Sequence, residues 1–268
     1  MKGVQAMTGY SGNRRAVTAA LLAALSASAV VASEGDAGKK EPAVEPAAIQ
    51  ALEKMSAYLR TLDSFSLEAE ASADAVLDDG QKVQFDWDLN VDYAKGKGLK
   101  VDRVSPFRHL TYFYDYKKLT LFSPDKLYYA STEAQPTIAK TLDEVSARYG
   151  VEMPLADLFY WGTERLPVDA ITSAVTIGPG RVHGDTCSHY AYRQADVDFQ
   201  LCIAEGDHPV PLKLVITTTD QPEQPQYEVR MTWNLKPDFA ADEFTFTPPQ
   251  DALPITFRPM PAAAAENQ

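Results

Sequence analysis

From Lys82 to Tyr93 the chain alternates without a break, with Val83, Phe85, Trp87, Leu89, Val91 and Tyr93 set between Lys82, Gln84, Asp86, Asp88, Asn90 and Asp92. Successive side chains on a strand point to opposite faces, so this pattern predicts an antiparallel strand with one dry and one wet face. The stretch before it repeats the pattern with smaller residues. Phe65, Leu67, Ala69, Ala71, Ala73, Ala75 and Leu77 alternate with Ser66, Glu68, Glu70, Ser72, Asp74 and Val76, and Asp79-Gly80 marks a hairpin between the two runs. Keeping both apolar sets on one face sets Leu77 opposite Val83, Ala75 opposite Phe85, Ala73 opposite Trp87 and Ala71 opposite Leu89, with an Asp79-Gly80-Gln81 loop. A row of alanines then lies beside a row of large residues. Either the rows are size-complementary parts of a filled core, or they form an apolar trough for a ligand. On the second reading the lining comprises Leu67, Ala69, Ala71, Ala73, Ala75, Phe85, Trp87, Leu89, Val91 and Tyr93.

The neighbouring segments supply a cover and more sheet. Ile49, Leu52, Met55, Leu59 and Leu62 fall on one helical stripe, with Glu53, Lys54 and Arg60 off it, so this helix needs an apolar surface to lie on. Gly98 to Ser105, Phe107 to Tyr116, Leu119 to Phe122 and Lys126 to Ala130 are short, β-branched or aromatic, and separated by turn residues, which predicts a meander. Tyr112, Phe113, Tyr114, Tyr116, Tyr128 and Tyr129 read as cross-strand aromatic pairs or as a surface for sugars, lipids or peptides. Ile138, Leu142, Val145 and Tyr149 return to helical spacing before a Gly150 stop, and Pro154 to Trp161 predicts a second short helix. Strands then resume from Ile171 to Phe246.

The first 32 residues have the three parts of a cleaved secretory signal: a basic start with Lys2, Arg14 and Arg15, an apolar run from Ala16 to Val31, and small residues around Ala27 to Ser33. Residues 33–47, rich in Glu, Lys, Pro and Ala, predict a disordered linker, residues 48–249 one domain, and the Pro- and Ala-rich residues 250–268 a flexible tail. The formal charge of −12 becomes −15 once those three cations are removed, leaving 22 Lys and Arg against 37 Asp and Glu. Such a chain repels phosphate backbones, which argues against nucleic acid as a partner. Export places the mature chain in the periplasm as a soluble protein, since no later segment is long and apolar enough to span a bilayer.

Cys187 and Cys202 are the only cysteines, and in an exported chain they predict a disulfide. Tyr190 and Tyr192 share an apolar face with Val197, Phe199, Leu201 and Ile203 when Tyr192 opposes Val197, a register that sets Cys187 opposite Cys202 and Arg193 opposite Asp196. The competing use of these cysteines, a metal site with His183 and His189, matches no standard zinc spacing.

The run HGDTCSHYAYRQADVDFQLCIAEGDHPVPLKLVITTTD, with YDYKKLTLFSPDKLYYAS before it and QYEVRMTWNL and FTFTPP after, resembles a family of predicted periplasmic proteins known as a domain of unknown function. In that family a hydrophobic residue, often Trp, tends to stand at the position of Cys202. The family is similar to the lipoprotein carriers of the bacterial envelope. The resemblance covers most of Ala48 to Pro249 and implies an α+β fold, an incomplete antiparallel β-barrel of about 11 strands with helices over its concave face.

No chemistry of catalysis stands out. His109, His183, His189 and His208 are scattered, no serine occupies a nucleophile elbow, and there is no phosphate-binding glycine loop. Asp196, Asp198, Glu205 and Asp207 read as turn and polar-face residues ahead of a Ca²⁺ site. The expected function is therefore non-enzymatic and cofactor-free: a periplasmic carrier of a lipid or lipoprotein acyl chain, or else a structural or regulatory protein with a filled core and an envelope protein partner. A secreted hydrolase would need a convergent His and carboxylate set that the sequence does not display.

Overall fold

The structure, a computed structural model, describes residues 43–161 and 167–260. The expected signal segment, residues 1–32, lies outside the described residues, as do most of the linker and residues 261–268. Helix α1 (Pro46–Thr61) leads into six antiparallel strands, β1 (Ser64–Val76), β2 (Lys82–Ala94), β3 (Gly98–Ser105), β4 (Arg108–Tyr114), β5 (Lys118–Ser123) and β6 (Tyr128–Glu133). Helix α2 (Ile138–Tyr149) and a 3-10 turn (Ala156–Phe159) follow. A second meander then runs through β7 (Ser173–Val182), β8 (Asp185–Arg193), β9 (Val197–Ala204), β10 (Pro211–Thr218) and β11 (Gln226–Asn234), and a two-residue β12 (Leu253–Pro254) ends the series.

These strands form one sheet in the order β12-β6-β5-β4-β3-β2-β1-β11-β10-β9-β8-β7. The pairing of β1 with β11 joins the two meanders, and among the described residues the edge strands β7 and β12 do not pair with each other. The fold is thus α+β, an open half-barrel of eleven antiparallel strands with β12 added in parallel to β6.

Alternation decides which face is covered. Phe65, Leu67, Ala69 and Ala71 on β1, Leu89 and Val91 on β2, and Val229 and Met231 on β11 are buried in one cluster with Ala48, Leu52 and Met55 of α1 and Ile138, Leu142 and Val145 of α2. Helix α2 has well-defined ends. The Thr137 side chain accepts from the Lys140 amide, and Gly150 takes the left-handed conformation at φ 64°. The opposite face of β3–β6 has a cover of its own. There Phe246 meets the rings of Phe113, Phe122 and Tyr129, and Phe244 lies so close to Gly98 that a β-carbon at Gly98 would come within 2.5 Å of it. The stretch expected to remain in strands as far as Phe246 therefore leaves the sheet after Asn234, because its aromatic residues pack onto the meander.

Both hairpin registers differ from expectation by two residues. On β1 and β2 Ala75 faces Val83, Ala73 faces Phe85, Ala71 faces Trp87 and Ala69 faces Leu89. The loop is Asp78-Asp79-Gly80, closed by the Leu77 amide donating to the Gln81 carbonyl, with Gly80 at φ 84°. On β8 and β9 Tyr192 faces Phe199 and Cys187 faces Ala204, because the Gln194 amide donates to the Val197 carbonyl across a two-residue turn. The disulfide forms nonetheless, diagonally between adjacent strands, with Cα atoms 5.4 Å apart. Arg193 makes a bidentate pair with Asp198, not Asp196, at 2.6 Å for each hydrogen bond.

Order also extends past the expected boundaries at 47 and 250. Val44 bridges to Ala174 on β7, and the Glu45 carboxylate accepts from the Thr176 amide. At the other end Leu253 and Ile255 donate to carbonyls of Leu127 and Tyr129, Phe257 stacks on Tyr149, and the Met260 amide donates to the Arg148 carbonyl.

Candidate functional site

The alanine row is mostly filled. Leu67, Ala69, Ala71, Leu89 and Val91 lie at the bottom of the main core under the helices, and Ala75 is buried near the hairpin end. Tyr93 is half-buried, with its ring against Phe65 and Phe159. Burial and its neighbour Tyr116 push its phenol up to about 12. The remaining residues diverge toward the open end of the sheet. Ala73 is half-buried opposite Tyr227, Trp87 stacks on the Tyr227 ring at 6.1 Å, and Phe85 is 46% exposed with its edge toward Phe107.

An apolar cleft of about 90 Å³ opens beyond Tyr227, lined by none of the residues expected from the sequence. Leu52 of α1 and Trp161 wall one side, Leu214 and Ile216 of β10 and Val197 and Phe199 of β9 form the floor, and Val168 and Ile171 close the rim. Ile216 faces Tyr227 on one neighbouring strand and Phe199 on the other, so the cleft floor continues the row that begins at Phe85 and Ala73. Asp157 and Gln194 are the polar side chains in the described lining. Loss of solvent pushes the Asp157 carboxyl up to about 6, with Glu152 adding to the effect. The same burial raises the Tyr227 phenol, aided by Asp157 and opposed by Arg103.

Arg103 stands at the opposite end of this row. It occupies an inward position on β3, where Leu99 and Val101 precede it, and faces Leu110. Its guanidinium lies over the Trp87 ring at 4.4 Å, and burial lowers its pKa. Its Nε and the Trp87 Nε1 are both buried without a hydrogen-bond partner. The sequence did carry a signal for this residue, since Arg103 breaks the apolar parity of its strand. The cleft left a weaker signal, because its walls come from segments far apart in the chain.

Polar clusters elsewhere have structural partners. His109 and Thr111 both bond the Asp102 carboxylate, His183 meets Thr232 and Glu70, and His189 meets Gln200. Among the described residues no group of three or more His, Cys, Asp or Glu could hold a metal ion, and no helix is long and apolar enough to cross a membrane.

Residues 48–258 match the family model described as predicted periplasmic protein, DUF2092. The chain belongs to this family. Membership places the DUF2092 protein in the periplasm. A search of curated proteins finds no match. Similar solved structures include lipoprotein LppX of Mycobacterium tuberculosis (10% identity, TM-score 0.45, 72% of this chain and 98% of that one), LprF of Mycobacterium bovis (13%, 0.43, 80% and 100%) and a LolA superfamily protein of Nitrosomonas europaea (10%, 0.40, 74% and 97%).

Proposed function

We propose that this DUF2092 protein is a non-enzymatic periplasmic carrier that holds the apolar part of a lipid or acylated molecule in the cleft between α1, the Asp157–Trp161 segment and β9–β10. The observation that supports this reading is the cleft itself: Leu52, Trp161, Val168, Ile171, Val197, Phe199, Leu214 and Ile216 converge at the open end of a half-barrel whose deeper interior is filled. At about 90 Å³ it is smaller than the roughly 150 Å³ cavity that accepts benzene, so it admits a chain end as it stands. A longer chain requires the covering segments to lift. The 3-10 turn suits such a movement, because its bonds are poorer than those of an α-helix.

Ile216→Trp tests the reading by filling the cleft. We expect binding of a fluorescent acyl probe to fall about tenfold or more while the far-ultraviolet circular dichroism and thermal transition stay near wild type. Unchanged probe affinity in a folded Ile216→Trp protein would remove the cleft as the binding site. The filled alanine row favours a second reading, a scaffold working through an envelope partner, which absence of any lipid from organic extracts of the native protein would support.

A further inference from the structure

Arg103 is a half-buried cation in a strongly acidic chain, yet among the described residues no carboxylate lies within ion-pair distance of it or of Arg108. Arg108 faces Ser105 across the β3–β4 pair, so it shares the parity of Arg103 and lies close enough to lower the pKa of that residue. Removing a guanidinium from water without a counter-ion is costly, and a buried Nε and indole N–H left unpaired add to the cost. Both donors belong to one stack, Arg103 on Trp87 on Tyr227, which occupies the same row as the cleft. An open groove of about 1030 Å³ reaches this end of the sheet, so an outside molecule has a route to it. Four acids, Glu70, Asp86, Asp88 and Glu228, line the groove beside Arg103, Arg108 and Arg230; Glu228 is engaged by Arg230 and Lys213, and none of the four is within ion-pair distance of Arg103 or Arg108.

We propose that Arg103, assisted by Arg108, receives the anionic head group, a phosphate or a carboxylate, of the amphiphile whose chain enters the cleft. This deepens the carrier reading and rests on it. The row then has a direction: head group at Arg103 and Trp87, chain past Tyr227 toward Ile216 and Phe199. Guanidinium provides the paired donors that either anion accepts, and the aromatic stack holds it in place before the ligand arrives.

The test uses cis-parinaric acid, a fluorescent fatty acid with a slim unbranched tail, and its uncharged methyl ester with the full-length mature protein. The wild type should bind the acid about tenfold more tightly than the ester, with affinity for the acid falling as salt rises. Arg103→Gln should abolish that preference and leave the ester within about twofold, and Arg108→Gln, at an exposed position, should reduce it without risk to the fold. Competition by dodecyl phosphate, dodecanoate and dodecanol separates the two head groups, whichever anion displaces the probe at lower concentration being preferred. Equal binding of acid and ester by the wild type, or a preference that survives both substitutions, would overturn the head-group site while leaving the carrier intact. Binding of neither probe would overturn both.

Discussion

Asp157 is the one ionisable side chain in the described lining of the cleft, and its environment makes the protein's stability depend on pH. Folding favours its protonated form, since burial pushes the carboxyl from 3.8 up to about 6. That contribution is fully present below the ordinary value and disappears as pH rises through about 6, amounting to up to about 3 kcal/mol. Asp157→Asn should therefore gain stability relative to wild type between pH 4 and pH 6, read from urea midpoints at each pH. Parallel curves for the two proteins would show that the carboxyl is hydrated in the folded state. Asp157 was not legible in the sequence because burial of a lone carboxylate depends on what folds over it. Arg103 was legible in principle, as a charge at a position that alternation assigns to the interior.

The strands show how far alternation reaches. It identified the dry face of β1, β2, β8 and β9, since a slip by two residues leaves every side chain on its face. For the same reason it could not separate the observed registers from those two residues away. Turn hydrogen bonds make that choice: Gln81 and Gly80 in the first hairpin, Gln194 and Val197 in the second. The consequence reaches the disulfide. Cys187 and Cys202 are diagonal neighbours, and Gly180 faces Cys187 on β7, where a β-carbon would come within 2.6 Å of the Cys202 sulfur. Reduction should lower stability by about 3 kcal/mol in the chain-entropy model, given the 15-residue separation, with secondary structure preserved below the new midpoint. Thermal scans with and without dithiothreitol measure this directly, and coincident transitions would show that the strand pairing alone fixes these two strands.

Taken as one body, the molecule is two meanders joined by β1 and β11, with helices on the inner face and the chain's own later segments on the outer one. The helix stripes and the order of elements were readable in the sequence, and the half-barrel was what the family resemblance implied, in agreement with that order. The segment after Asn234 was not readable, because Phe246, Phe257 and Met260 find partners more than a hundred positions earlier, and Phe244 reaches back to Gly98 as well as to nearby Phe239. Ending the chain at Pro249 should leave the sheet folded but uncover Tyr149 and Gly150 at the end of α2. Limited proteolysis should then cut near α2 at least severalfold faster than in the full-length protein. Equal cleavage rates would mean that α2 is held by its own core face.

The contact between Met260 and the end of α2 also sets a sequence of events. Residues 148 and 260 meet only once the second meander lies between them, so closing the end of α2 is a late step of folding. Until then that end is held by its core face alone.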